Sequence, residues 1–244
     1  GCLDESVIIA MQDDDMKQAT IHDTYQDNAT LKWLFLDMNA FFASVEQELR
    51  PELRGCPVGI VPVLADSSCC IAASYEAKAL GIPDLQPYFK LEPFLKKNRV
   101  QVFSANFRLY GDISNQVMTT LRDFSPHVEQ YSIDEMFLDF DGIHQDLERY
   151  GDLIRQTIWQ HVRMPVGVGI APTKTLSKLA NHAAKKIKRS GVAVLDTPVK
   201  WQWLQQRLPI RQVWGIGSRL GRRLNAIGIQ NLFGDHHRTP FFGF

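Results

Sequence analysis

Along this chain, apolar runs of strand length alternate with amphipathic stretches of helix length. Leu31–Leu36 is continuously apolar and stops at Asp37, which predicts a buried strand. Asn39 then stands where an N-cap would open a helix over AFFASVEQEL. After punctuation at Pro51 and Gly55-Cys56-Pro57, VGIVPVL predicts another strand. CCIAASYEAKAL predicts a strand passing into a helix, stopped by Gly81-Ile82-Pro83. Residues 84–99 mix lysine and proline without a period and stay unassigned, and VQVFS after them predicts a strand. Phe107, Tyr110, Ile113, Val117 and Leu121 recur at helical spacing over 107–123.

Tyr131–Phe140 reads as two strand-like pieces of a hairpin, followed by a helix over about 144–162 and a PVGVGI strand at 165–170. TKTLSKLANHAAKKIK (173–188) predicts a long basic helix, Val192–Leu195 a short strand, and everything from about Pro198 reads as helical. The sum is a fold of α+β class: a mixed sheet covered by helices on one side.

Composition supports this picture. A chain of 244 residues, 45% hydrophobic and 10% aromatic, can bury a core as one large or two modest domains. No run approaches the ~18 apolar residues of a membrane span, and no signal-peptide pattern opens the chain. Of Cys2, Cys56, Cys69 and Cys70, none falls in a CxxC spacing. Neither a zinc site nor a disulfide framework is indicated, and a reducing, cytoplasmic setting fits.

Charge changes the picture more. The net charge is zero, yet residues 1–30 hold seven acids and one base, which leaves 26 bases and 20 acids on the rest. The first 30 residues read as an acidic tail. The body is mildly basic, which permits an anionic polymer as partner.

The chemistry-bearing residues interrupt the apolar strands. Asp134 and Glu135 are adjacent within YSIDEMFLDF, and Asp37 ends LFLD. Neighbours on a regular strand point to opposite faces. Two adjacent acids therefore serve one site only if the backbone bends there, and Ser132 suits a bend. An acidic pair at a hairpin is more often a solvated turn, and an acid at a strand end more often a cap. But carboxylates set into apolar strands are costly unless paired or metal-bound. Three of them at strand ends suit two divalent cations and phosphoryl-transfer chemistry. A second pattern lies late in the chain. In VWGIGSRLGRRLNAIGI, Gly215 and Gly217 shape a turn before a helix start, with Arg219, Arg222 and Arg223 beside it. Exposed amides at such a turn suit a phosphate, although an ordinary helical hairpin would read the same way.

LFLDMNAFFASVEQELRPELRGCPVGIV, ASYEAKALGI, YSIDEMFLDF, VGVGIAPTKTLSKLANHAAKK and VWGIGSRLGRRLNAIGI occur in an order that resembles the Y-family (translesion) DNA polymerases, most closely the bacterial UmuC branch. The likeness covers roughly residues 32–233. It implies a polymerase palm of ferredoxin-like type at 31–197, small fingers inserted at about 51–100, and a helical thumb with a helix-hairpin-helix at 198–240. It implies that Asp37, Asp134 and Glu135, with the Met38 carbonyl, hold two Mg²⁺ ions. Phe42, next to Phe41, matches a steric gate against the nucleotide sugar, although from spacing alone both rings read as core.

Tyr75 and Lys78 match a triphosphate-binding pair and Lys185 a further triphosphate contact. Spacing alone would make these lysines a solvated face, and His182 a packing or surface histidine. Gly215, Gly217, Arg219 and Arg222 match the DNA-binding hairpin. The implied partners are primer-template DNA, deoxynucleoside triphosphates, a UmuD-like subunit and a recombinase filament, in DNA repair of the SOS type. The family pattern is broken at Pro83, Asp84 and Leu85, and relatives continue into a little-finger domain past residue 244, so the chain reads as a truncated form. The alternative reading is a catalytically weak or inactive DNA-binding protein derived from such a polymerase.

Overall fold

The structure, a computed structural model, describes residues 32–65, 67–82, 86–143, 146–187 and 190–232. The predicted acidic tail, the Pro83–Leu85 departure and the aromatic end of the chain lie outside the described residues. The chain divides into two compact units. Among the described residues, one unit comprises those up to Leu36, those within Phe137–Asp152 and those from Gly167 on; the other comprises those within Asp37–Met136 and Leu153–Val166.

Five strands form the larger sheet: β1 (Trp33–Met38), β5 (Val128–Gln130), β6 (Glu135–Asp139), β7 (Val166–Ala171) and β8 (Val192–Val194), in the order β5-β6-β1-β7-β8. The strands β1 and β6 run antiparallel. The Met38 amide donates to the Asp134 carbonyl (2.9 Å), and the Phe140 amide to the Lys32 carbonyl (2.6 Å). Both bonds belong to one register, which places Asp37 directly opposite Glu135 in a pair without its own ladder bonds, the closer of the two pair types.

The unit holding Asp37–Met136 carries a second sheet, in the order β3-β2-β4, from β2 (Val58–Val61), β3 (Ala72–Ala73) and β4 (Gln101–Ser104). Its helices are α1 (Phe41–Leu49), α2 (Tyr75–Ala79), α3 (Tyr88–Lys97), α4 (Phe107–Leu121) and the later part of α5 (Leu147–Val162). Two sequence readings change here. Residues 84–99 contain α3, hidden because Pro93 sits inside the helix and only Leu91 and Leu95 are buried in it. Asn39 is not the N-cap of α1. Ala40 takes that place in a left-handed conformation (φ 46°), and no side chain caps the helix. The Asn39 amide is used instead in a bond to the Pro165 carbonyl (2.8 Å).

In the other unit, α6 (Lys174–Lys186) lies on β7 at backbone distance. A Cβ on Gly169 would collide with the Ser177 carbonyl and the Asn181 amide, so only glycine lets helix and strand approach this closely. The helix opens on Thr173, whose side chain accepts from the Leu176 amide (3.2 Å). Two further helices, α7 (Pro198–Arg207) and α8 (Ser218–Ala226), share one apolar cluster with α6 through Leu176, Leu179, Leu204, Leu208, Val213 and Leu224.

Candidate active site

The cross-strand pair Asp37–Glu135 is the frame of the site. Both side chains are half-buried, as is Asp134. The bend foreseen before Glu135 is present: the amides of Tyr131 and Ser132 both donate to the Glu135 carbonyl (2.9 and 3.1 Å). Asp134 sits on that bend, and its Oδ1 accepts from the Ser132 hydroxyl (2.8 Å). Met38 directs its side chain into the core, 1% exposed, at the end of β1. Three hard oxygen donors, two on facing strands and one on the bend before the second, suit a divalent cation such as Mg²⁺. As placed, however, no group of three or more His, Cys, Asp or Glu side chains among the described residues is gathered to hold a metal ion. What the structure supplies is the backbone register and the donor chemistry.

Tyr75 and Lys78 come from α2, whose position is set by Ser74. That buried hydroxyl accepts from the Ala77 amide (3.2 Å) as an N-cap and from the Val58 amide (3.0 Å) of β2. The Lys78 Nζ lies 5.7 Å from the Tyr75 ring centre. Partial burial, and then the negative charge of Asp37, push the Tyr75 phenol above its ordinary value. Tyr75 and Lys78 therefore stand together, and Tyr75 lies within electrostatic reach of Asp37. Gln47 of α1 donates to Glu76 (3.1 Å) and to the Cys56 carbonyl (3.0 Å), which ties α2 to the first helix.

Phe41 and Phe42 part company. Phe41 is core, 4% exposed, so any contact with a ligand would be made by its backbone. Phe42 is half-buried and stacks on Tyr110, with ring centres 4.5 Å apart and planes 16° from parallel. Phe107 meets Phe42 edge-on at 5.8 Å.

Sequence reasoning missed what holds this stack. The Tyr110 hydroxyl donates to Glu46 Oε1 (2.8 Å), and Arg50 donates to Glu46 Oε2 (2.7 Å). The Glu46 side chain is 5% exposed and the Arg50 side chain 44%. The Arg50 guanidinium lies 4.3 Å over the Phe103 ring. Burial, and then the bond to Glu46, push the Tyr110 phenol far above its ordinary value. The available signal was Glu46 on α1 and Arg50 four positions on at its C-cap, with Tyr110 on the apolar face of α4. A cleft of about 570 Å³ beside Glu46, Arg50 and Phe107 contains none of the three carboxylates.

The remaining residues lie in the other unit. Lys185 lays its alkyl chain over β7, where a Cβ on Gly167 would meet the Lys185 Cγ at 3.1 Å. His182, half-buried on the same helix, has its pKa held below 6.5 by burial and then by Lys186 and Lys185. Gly215 takes φ 89°, a left-handed turn that glycine alone adopts freely, and Gly217 is the N-cap of α8 with no side-chain cap. Gly215, Gly217, Arg219 and Arg222 are all exposed.

The sequence profile of the impB/mucB/samB family matches residues 36–182, and that of the IMS family HHH motif matches residues 202–229. The chain is 47% identical over 198 residues to the protein UmuC of Salmonella typhimurium strain LT2, covering 80% of this chain and 46% of that protein. It is 37% identical over 200 residues to the protein MucB of Escherichia coli, covering 81% of this chain and 47% of that protein. The chain thus spans about half the length of these relatives. Among solved structures it resembles an insertion ternary complex of Dbh DNA polymerase (TM-score 0.72, 31% identity, 83% of this chain and 59% of that one). It also resembles DinB from Sulfolobus solfataricus (TM-score 0.71, 31% identity, the same coverage).

Proposed function

This chain belongs to the impB/mucB/samB family, and from that membership we propose that it carries the active centre of a template-directed DNA polymerase of the translesion type. The reading rests above all on the register that sets Asp37 opposite Glu135, with Asp134 on the preceding bend. In the reaction, a primer 3′-hydroxyl attacks the α-phosphate of a deoxynucleotide. The new P–O bond forms as the bond to the β-phosphate breaks, and pyrophosphate leaves.

Asp37, Asp134, Glu135 and the Met38 carbonyl would hold two magnesium ions, which when bound polarise the phosphate and acidify the attacking hydroxyl. Lys78 supplies a point charge to the triphosphate, and Tyr75 a hydroxyl donor. The first-turn amides of α1, at Phe41 and Phe42, have no intrahelical partner and face the positive end of the helix dipole, where phosphate oxygens bind well. Phe42, fixed by Tyr110, fills the space a 2′-hydroxyl would need. Lys185 adds a further cation for the triphosphate. Gly215, Gly217, Arg219 and Arg222 grip the DNA backbone without reading bases.

In this assignment residues 31–197 are the palm, with fingers at about 51–100, and residues 198–240 the thumb. The cellular role is cytoplasmic synthesis past damaged template bases in an SOS response, with a UmuD-like subunit and a recombinase filament as partners. A second reading is DNA binding without turnover, which the exposed Gly215, Gly217, Arg219 and Arg222 would serve by themselves. Mg²⁺-dependent primer extension decides between them. Asp134→Ala is expected to lower incorporation by several kcal/mol of barrier, roughly 10³-fold, at unchanged DNA affinity. Full activity in that variant would remove the carboxylates from the mechanism, and no incorporation by the unaltered chain would favour the second reading.

A further inference from the structure

Four aromatic rings and two lysines interleave in the unit that holds the hairpin. Phe35 and Phe137, both buried, meet at 4.9 Å with their planes tilted by 48°. Phe137 meets Trp33 at 6.4 Å and Trp214 at 5.8 Å. The Lys174 Nζ lies 4.5 Å from the Trp33 ring centre and 5.1 Å from that of Phe137. The Lys178 Nζ lies 4.7 Å from Phe35 and 5.2 Å from Trp214. Both lysines and Trp33 are half-buried, and Trp214 is 38% exposed.

A surface lysine normally keeps a long, mobile stem and a fully hydrated head. Here two ammonium groups, one helical turn apart on α6, each lie over two ring faces, on residues that are partly exposed. Trp214 also directly precedes Gly215, so this platform runs without a break in the chain into the exposed Gly215–Gly217 turn and the exposed Arg219, Arg222 and Arg223.

We propose that Lys174 and Lys178, held by Trp33, Phe35, Phe137 and Trp214, are a second set of phosphate contacts that carries the nucleic-acid backbone from the hairpin onto α6. A string of fixed cations flanked by an exposed indole and an amide-bearing turn suits a polyanion of regular charge better than an acidic peptide. The inference rests on the nucleic-acid reading above but not on catalysis.

The test is duplex binding by fluorescence anisotropy across a salt series, on the full chain. Lys174→Met and Lys178→Met keep an unbranched stem on the rings and remove the charge. Each is expected to lower the slope of log affinity against log salt by about 0.9, the loss of one phosphate contact. Lys178→Arg is expected to restore the slope. Arg219→Ala serves as the control for the hairpin.

Unchanged slopes in both Met variants, with a reduced slope in Arg219→Ala, overturn the proposal and leave the hairpin assignment standing. No duplex binding by the unaltered chain overturns both. Tighter, lysine-dependent binding of polyglutamate than of duplex at equal salt overturns it in favour of an acidic peptide. Lysine-selective acetylation of the unaltered chain gives a readout free of any folding defect: duplex is expected to protect Lys174 and Lys178, and equal labelling with and without duplex overturns the assignment.

Discussion

The two units handle buried and half-buried charge in opposite ways. In the unit that holds Asp37, Asp134 and Glu135, two phenols are raised by burial first and by a neighbouring anion after it. The phenol of Tyr75 is raised by burial and Asp37, and that of Tyr110 by burial and Glu46. In the unit that holds α6 and the hairpin, His182 is lowered by burial first and by the neighbouring cations Lys186 and Lys185 after it. The means of support differ too. Glu46 is satisfied by directed bonds from a phenol and a guanidinium, which fix its position to within a hydrogen bond's tolerance. Lys174 and Lys178 stand over ring faces, contacts that set distance rather than direction. The first arrangement suits a site that must place a small ligand accurately. The second suits a surface that must follow a long polyanion and tolerate its sequence.

Four experiments break or sharpen that contrast. The largest effect is expected for Phe42→Ala. If directed bonding in the acidic unit serves accurate placement, removing the ring that rests on Tyr110 should relax discrimination between deoxy- and ribonucleotides by roughly 10- to 100-fold, mainly through tighter use of the ribonucleotide. Unchanged sugar preference in single-turnover incorporation would disconnect Phe42 from the sugar.

Next comes Gly169→Ala in the basic unit, where the added methyl would strike the Ser177 carbonyl and the Asn181 amide. Overpacking of this kind costs about 1–3 kcal/mol, so a melting temperature lower by roughly 2–12 °C is expected. Hydrogen exchange should show protection lost first in β7 and α6, and equal loss across both units would merge them into one cooperative block.

Tyr110→Phe should cost about 1–2 kcal/mol by leaving the buried Glu46 Oε1 without its phenol partner, while preserving the stack on Phe42. Urea denaturation at pH 7 measures it, and no change would mean that Arg50 satisfies Glu46 unaided.

The smallest effect concerns pH. His182 binds its proton less readily in the folded than in the unfolded chain, whose value is near 6.5. Its contribution is therefore fully present above that pH and is lost as pH falls through the lower folded value. His182→Gln should flatten the stability profile on the acid side of 6.5, and an unaltered slope there would assign the acid sensitivity to other groups.

Much of this was readable in one dimension. β1, β6 and β7 announce themselves because each is a short, nearly unbroken apolar run, and burial on both faces demands that composition. The bend before Glu135 followed from two adjacent acids that a straight strand would send to opposite faces. α3 was not readable, because a proline and several lysines dilute its period and only Leu91 and Leu95 mark its buried side. The N-cap of α1 was misread at Asn39 because the chain enters the helix through a left-handed Ala40, and nothing in a capping preference foretells a strained entry.

What the residue order determined alone was period and chemical inventory: which segments are strands or helices, and which acids, aromatics and bases are available to a site. Those are local properties, set by side-chain alternation and by nearest-neighbour sterics. What only the tertiary structure decided was partnership. That Asp37 faces Glu135, that Tyr110 reaches Glu46 sixty-four positions away, and that Lys178 rests between Phe35 and Trp214 all depend on strand register and helix docking. Those choices are made by whole apolar faces finding the packing that leaves fewest buried groups unsatisfied, and no stretch of chain contains that comparison by itself.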